Sequence, residues 1–420
     1  MRRYLILLLA VACGGGGSSA SSGSQATTRD SAGIQIVENA GPMWSAGTGW
    51  TVVDSPVVDI GGVAGDPAYD LTQILGVVRL SDGRIAAAVA GAFQIRFYDA
   101  EGDHLRTTGT RGSGPGEFQG IMGFYPVPGD SVMVMDVMVR RLTVLDDSGK
   151  LGRTFSLGGE TGAPMPGAGG RMSMSIPAGV FNDGSILGVL MPFRVNDERK
   201  GAYRDSMTYI RYGPDGTAKD TLGKQPGLEM EQVAMKFGQQ SFSAPTPVPL
   251  GKNTIAAVDS GQVLVAMNDR WEIQVYDQNG TLKRLIRVDR PPRPITPENV
   301  QAHRAWTKEQ LDNQPMMRGM PEQFRKQMAD RIDQASYPSQ FPFIEAILPA
   351  GGGIIWVQEQ GNPGDERRRF AVLDASGQLL GTVQMPDRFR PTHVQGDLLA
   401  GVWQDQDDVE HVRVYRVQKN

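Results

Sequence analysis

From about Trp50 onward, short apolar β-rich runs alternate with glycine turns, and the turns align into two recurring classes. The first class follows an apolar strand: LSDGRI at Gly83, VPGDSV at Gly129, FNDGSI at Gly184, VDSGQV at Gly261, AGGGII at Gly352 and VQGDLL at Gly396. The second follows an amphipathic strand, in FYDAEGDHL, VLDDSGKLG, RYGPDGTAK, VYDQNGTLK and VLDASGQLL, centred on Gly102, Gly149, Gly216, Gly280 and Gly377. Each unit therefore reads strand, turn, strand, loop, strand, turn, strand, which is one four-stranded propeller blade. Six first-class turns predict an all-β fold, a six-bladed β-propeller. Their spacings of 46, 55, 77, 91 and 44 residues place the shortest near one blade period and put insertions in the longer ones.

The second class has only five members because the chain runs out at HVRVYRV, His411 to Val417, three strands into the last blade. The missing fourth strand must come from elsewhere. WTVVDSPVVDI, Trp50 to Ile60, carries a strand pattern just ahead of blade one, and pairing it with the last blade would close the ring and cover an open edge. The only helical patterns fall in the long crossing Asp289 to Phe343, between blades four and five. Thr296-Pro297-Glu298 reads as an N-cap, a proline at the first helical position and an acid in the first turn, and a second helix is expected from Pro321-Glu322. The insertion is placed at about 296–335.

Composition fits this architecture: 40% hydrophobic residues supply a large core, while 53 glycines and 27 prolines divide 420 residues into many short elements. A formal charge of -4, from 42 basic and 46 acidic residues well mixed, offers no field for nucleic acid or an anionic membrane surface.

The N-terminus carries an address. MRRYLILLLAVAC has two arginines, a short apolar run and small residues before Cys13, the layout of a bacterial export signal over residues 1–12. Cys13 is the only cysteine, and its setting resembles a lipobox, which implies that it becomes the lipidated first residue of the mature chain; cleavage after Ala10-Val11-Ala12 without lipidation is the alternative. Gly14 in place of aspartate implies, by the same resemblance, sorting to the outer membrane, with a periplasmic or secreted protein as the other outcome. Residues 13–49 are expected to be the attachment cysteine and a tether, whose Gly/Ser-rich part has a reach of roughly 20 to 25 Å. The propeller is expected to occupy 50–417.

GTRGSGPGEF, Gly109 to Phe118, joins blade one to blade two. It lacks the lysine and Ser/Thr of a Walker loop and the strand–helix setting of a dinucleotide loop, so its glycines are read as turning the chain and Phe118 as filling the seam between blades. With YDAEGDHLRTTG before it, this run resembles the inter-blade motif of NHL-type six-bladed β-propellers, in particular the lipid-anchored bacterial group. That resemblance implies the fold but little about function, since such propellers include binding proteins, lyases and lactonases.

Both turn classes lie on one face of the ring, so the second-to-third-strand loops and the crossings open on the other, where binding is expected. Candidates there are Arg140, Arg194, Asp269, Arg270, Arg367, Arg368, Arg369 and, from the helical insertion, Trp306. Solvated loop tips are the plain alternative. Glu117 and Glu345 are weak metal candidates, as calcium or lactonase-type ligands; no other cofactor is called for. The four histidines, His104, His303, His393 and His411, show no metal-ligand spacing, and Met133/Met135 and Met172/Met174 read more simply as packed strand faces than as copper(I) ligands. No catalytic motif stands out. The expected function is envelope-tethered binding of a protein, peptide or glycan, with a metal-assisted NHL-type lyase or lactonase as the alternative.

Overall fold

A computed structural model describes residues 26–419 apart from 46, 64, 160–170, 195–197, 238–239 and 314–321. Cys13 and the export signal lie outside the described residues. Four strands precede the blades: β1 (Ala26–Ser31), β2 (Ile34–Asn39), β3 (Thr51–Val52) and β4 (Val58–Ile60). Blade one is β5 (Ile74–Arg79), β6 (Ile85–Val89), β7 (Gln94–Tyr98) and β8 (His104–Thr108), and blade two is β9 (Ile121–Val127), β10 (Ser131–Asp136), β11 (Arg141–Leu145) and β12 (Leu151–Phe155). Blade three is β13 (Arg171–Val180), β14 (Ile186–Arg194), β15 (Tyr203–Tyr212), the long β16 (Ala218–Phe237) and β17 (Gln240–Pro247). Blade four is β18 (Thr254–Asp259), β19 (Gln262–Met267), β20 (Glu272–Tyr276) and β21 (Leu282–Val288). Two helices follow, α1 (Pro297–Asn313) and α2 (Glu322–Gln334). Blade five is β22 (Ile344–Pro349), β23 (Ile355–Glu359), β24 (Arg369–Leu373) and β25 (Leu379–Gln384), and blade six contains β26 (Phe389–Gln395), β27 (Leu398–Gln404) and β28 (Glu410–Gln418). The first strands of successive blades touch one another in a closed circle, β5-β9-β13-β18-β22-β26-β5. This is the six-bladed propeller read from the turns.

Burial explains the patterning. Second strands such as β6 (IAAAV) are buried along their whole length because neighbouring blades cover both faces, whereas the outer β8 (HLRTT) has three exposed residues in its centre. The second-class turns are held by aspartate carboxylates. Asp146, Asp277 and Asp374 each accept the N–H groups two and four residues on, the local bonding that favours Asp in turns. Gly149 has a left-handed φ of 77°, and a Cβ there would lie 2.6 Å from the Phe97 ring of the preceding blade, so both backbone and packing require glycine.

Ring closure occurs as the sequence predicts. Val412, Arg413 and Val414 of β28 pair with Ile60, Asp59 and Val58 of β4, and β28 continues onto β3 through Val417 and Gln418. The interruption at Asp54-Ser55-Pro56 splits the closing segment into two short strands.

Within the segment 13–49 expected as a tether, residues 26–39 are folded onto the ring. β1 and β2 form a hairpin, and β2 runs parallel to β21, extending blade four. Asn39, almost wholly buried, donates to the carbonyls of Arg287 (3.0 Å) and Gly377 (3.1 Å) and accepts the Leu379 N–H (2.8 Å), joining blades four and five. Met43 and Trp44 then donate backbone N–H groups to Leu379 and Leu380, and Trp44, Trp50 and Trp356 stack in sequence before β3 reaches blade six. Residues 26–60 thus form a belt over the outer rim of three blades.

The helical insertion begins as predicted: the Asn299 N–H donates to Thr296 Oγ1 and the Thr296 N–H to Asn299 Oδ1, a reciprocal cap. Arg331 of α2 donates to Thr246 Oγ1 of β17 at 2.8 Å, bracing the helices on blade three.

Candidate functional site

The seam between blades one and two shows what the glycine loop does. Phe118 is fully buried among Val78, Leu80, Ala88, Phe97, Val132 and Leu145. The Gly112 N–H donates to the Phe118 carbonyl at 3.0 Å and the Phe118 N–H to the Thr110 carbonyl at 2.9 Å, and Arg141 donates to the carbonyls of Ser113 and Glu117. Glu117 turns back into its own loop and accepts the Gly114 N–H at 2.7 Å, a structural bond. The loop is a turn and a plug.

Arg140, Asp269, Arg270 and Arg367 to Arg369 lie at loops joining second to third strands, spread over blades two, four and five, and Trp306 lies on α1. Arg140, with φ 51°, lies between β10 and β11 beside a cavity of about 10 Å³, room for one water, lined also by Met135, Leu157 and Ser175. Arg194 ends β14; its side chain lies outside the described residues. Asp269 and Arg270 sit between β19 and β20, where Asp269 meets Arg270 at 3.6 Å and Lys252 at 3.7 Å. Trp306 is 45% exposed on α1, its ring 5.9 Å from that of His303. Arg369 is exposed at the start of β24, and Arg367 pairs with Asp387. The structure does not gather these into one constellation. Glu117 and Glu345 are likewise separate, on the blade one–two loop and on blade five, and among the described residues no three His, Cys, Asp or Glu side chains meet at one point.

Charge does collect at one place, where the upper ends of blades five, six and one meet around the ring axis. Glu345 is the second residue of β22, at a register shift between Ile344, which packs into the blade four–five seam, and Ala346, and its charged neighbours are Arg368 of blade five and Arg390 of blade six. Gln358 Nε2 donates to Glu345 Oε2 at 2.6 Å. Arg390 is the second residue of β26, after the buried Phe389, and donates to the carbonyls of Ile74 (2.9 Å) and Leu75 (3.3 Å). Arg368 donates to the Phe389 carbonyl at 3.3 Å, and Glu410, first in β28, accepts the Ile74 N–H at 2.6 Å.

Confinement governs the electrostatics. Burial raises the Glu345 carboxyl above its ordinary range, against the pull of Arg368 and Arg390, although the residue remains open to water: protein crowds it on several sides while one side stays wet. Burial raises Glu410 similarly. Burial lowers both arginines, and the Arg368 charge lowers Arg390 further. Nearby guanidiniums have carboxylate partners, Arg290 with Glu359 at 3.3 Å and Arg388 with Asp408. Among the described residues, Arg368 and Arg390 form no ion pair. Arg368 and Glu345 were individually visible in the sequence, but Arg390, Gln358 and Glu410 were not: Gln358 follows the apolar run IWV, while Arg390 and Glu410 open strands of mixed character, FRPTHVQ and EHVRVYRVQ.

No family model and no curated protein matches this chain. Solved structures with a similar course include a Bacteroides fragilis protein named as an expected export product, 10% identical, covering 91% of this chain and 100% of that one at TM-score 0.45. A member of the DUF4221 family from Bacteroides vulgatus is 11% identical, covering 89% of this chain and 99% of that one at TM-score 0.48. Virginiamycin B lyase from Staphylococcus aureus is 9% identical, covering 87% and 99% at TM-score 0.36. Likeness this distant carries no argument about function.

Proposed function

We propose that the protein is a binding propeller of the bacterial cell envelope, tethered through lipidated Cys13, that takes a protein, peptide or glycan ligand on its long-loop face. The observation that carries this reading is the charged, water-accessible cluster of Glu345, Arg368, Arg390 and Glu410 where three blades meet, with two guanidiniums lacking ion-pair partners. A rigid ring holding charged groups that are out of ion-pair contact presents a preorganised polar site. The tight second-class turns on the opposite face use their aspartates internally and offer no comparable group.

The test is a screen of the purified protein against peptide and glycan arrays, followed by hydrogen-exchange mapping of any ligand found. Protection is expected in 61–73, 359–369, 385–390 and 404–410. Protection confined to the turns at Gly102, Gly149 and Gly280 would overturn the reading, as would the absence of any ligand.

A further inference from the structure

We infer that Arg368 and Arg390 form a subsite for one carboxylate group of the ligand, an inference that rests on the binding reading above and narrows its chemistry. Both guanidiniums are partly withdrawn from water, and among the described residues they donate to neutral backbone carbonyls: Phe389 for Arg368, Ile74 and Leu75 for Arg390. Two neighbouring cations in such a setting repel each other, and Glu345 and Glu410 offset them only from beyond contact distance: among the described residues no carboxylate touches either guanidinium. Glu410 is occupied with the Ile74 N–H, Glu345 is held by Gln358, and neither lies at ion-pair distance from the arginines.

An anion fitting between the two forks would complete the site, because a guanidinium presents paired donors in the plane that a carboxylate accepts. Desolvation favours a single negative charge. The two arginines and two nearby glutamates sum to zero, so the ligand gains chiefly from contact with the guanidiniums, while the cost of leaving water grows with the square of its charge and is far larger for a phosphate dianion than for a carboxylate. The open side of Glu345 shows that water, and hence a ligand group, reaches this point.

The experiment titrates the full-length protein in detergent with N-acetyl-dialanine, glucuronate and inorganic phosphate at low salt, following binding by calorimetry. At least one carboxylate is expected to bind with a Kd on the order of 1–10 mM, and which one binds distinguishes a peptide terminus from an acidic sugar. Arg368→Gln should weaken binding at least about fivefold, with a melting curve checking that the ring is intact. Glu345→Gln should tighten it about three- to tenfold by removing the opposing charge, a gain that a damaged fold cannot produce. Binding of phosphate in preference to both carboxylates, no binding of any probe, or an unchanged affinity in Arg368→Gln would overturn the subsite. If array ligands still bind the long-loop face while these probes fail, the carboxylate inference falls and the wider binding reading stands.

Discussion

The seam between blades one and two and the seam between blades six and one do the same job by different means. Both bury an apolar cluster, around Phe118 in the first and around Ile60, Val77, Val402 and Val414 in the second. Near the axis, however, blade six bonds directly to the backbone of β5, whose inner edge has no strand beside it. Thr392 Oγ1 accepts the Val77 N–H and donates to the Val77 carbonyl, both at 2.9 Å, His393 Nδ1 accepts the Arg79 N–H at 3.1 Å, and Arg390, Gln395 and Glu410 serve Ile74, Leu75 and Leu80. The first seam relies on an aromatic plug. The second, although residues 61–73 also carry the chain from β4 of blade six to β5 of blade one, adds blade-six side chains that satisfy the exposed backbone groups of β5.

The sharpest way to break this contrast is to remove residues 50–60. Loss of β3 and β4 exposes the edge of β28 and opens the Ile60 cluster, so cooperative unfolding should give way to aggregation, read by calorimetry and light scattering. Preserved two-state melting would show that the seam holds without its outer strands. Next in size is Phe118→Ala, which should cost about 3–5 kcal/mol in denaturant unfolding with no change in pH dependence, because the seam it empties is apolar.

The polar seam should instead respond to acid. Burial, with Arg79 adding to it, lowers the His393 imidazole from 6.5 to about 4. Between those values the unfolded chain binds a proton that the folded chain refuses, so stability is full above pH 6.5 and falls as pH drops towards 4, by at most ~3 kcal/mol. Protonation would also turn Nδ1 from acceptor into donor, facing the Arg79 N–H. His393→Gln keeps an acceptor but does not titrate, so the difference between its pH–stability curve and that of the parent isolates this contribution; parallel curves would exclude it. The smallest effect is that of Thr392→Val, which strips the bonds to Val77 and should cost about 1–3 kcal/mol, measured by urea unfolding at neutral pH.

The contrast also explains what could be read from sequence. The turns were legible because their chemistry is local: Asp374 bonds to Ser376 and Gln378, and Gly377 follows within the same few residues. Phe118 was legible because a glycine–proline crossing leaves an aromatic few places to go. The β1–β2 hairpin was not. β1 is polar, ATTRDS, and β2 is fixed by Ile36 and Val37 aligning with Leu285 and Ile286, a pairing that no local pattern records. The charged cluster was hidden for the same reason, since Glu345, Arg390 and Glu410 belong to three strands and become neighbours only when the ring is closed.

That closure has a consequence in time. Val58 pairs with Val414, so the final edge contact joins one of the first segments of the ring to be made with one of the last. Contacts so distant along the chain slow folding, because the intervening loop must be closed before they contribute. A folding chain can assemble blades one to five from local pairings, but blade six stays three-stranded until residues 50–60 pair with β28. During that interval the edge of β28 is open, and the carboxylate subsite, which borrows Ile74 and Leu75 from the far side of the closing seam, does not yet exist. Ligand competence would then report that the ring is complete.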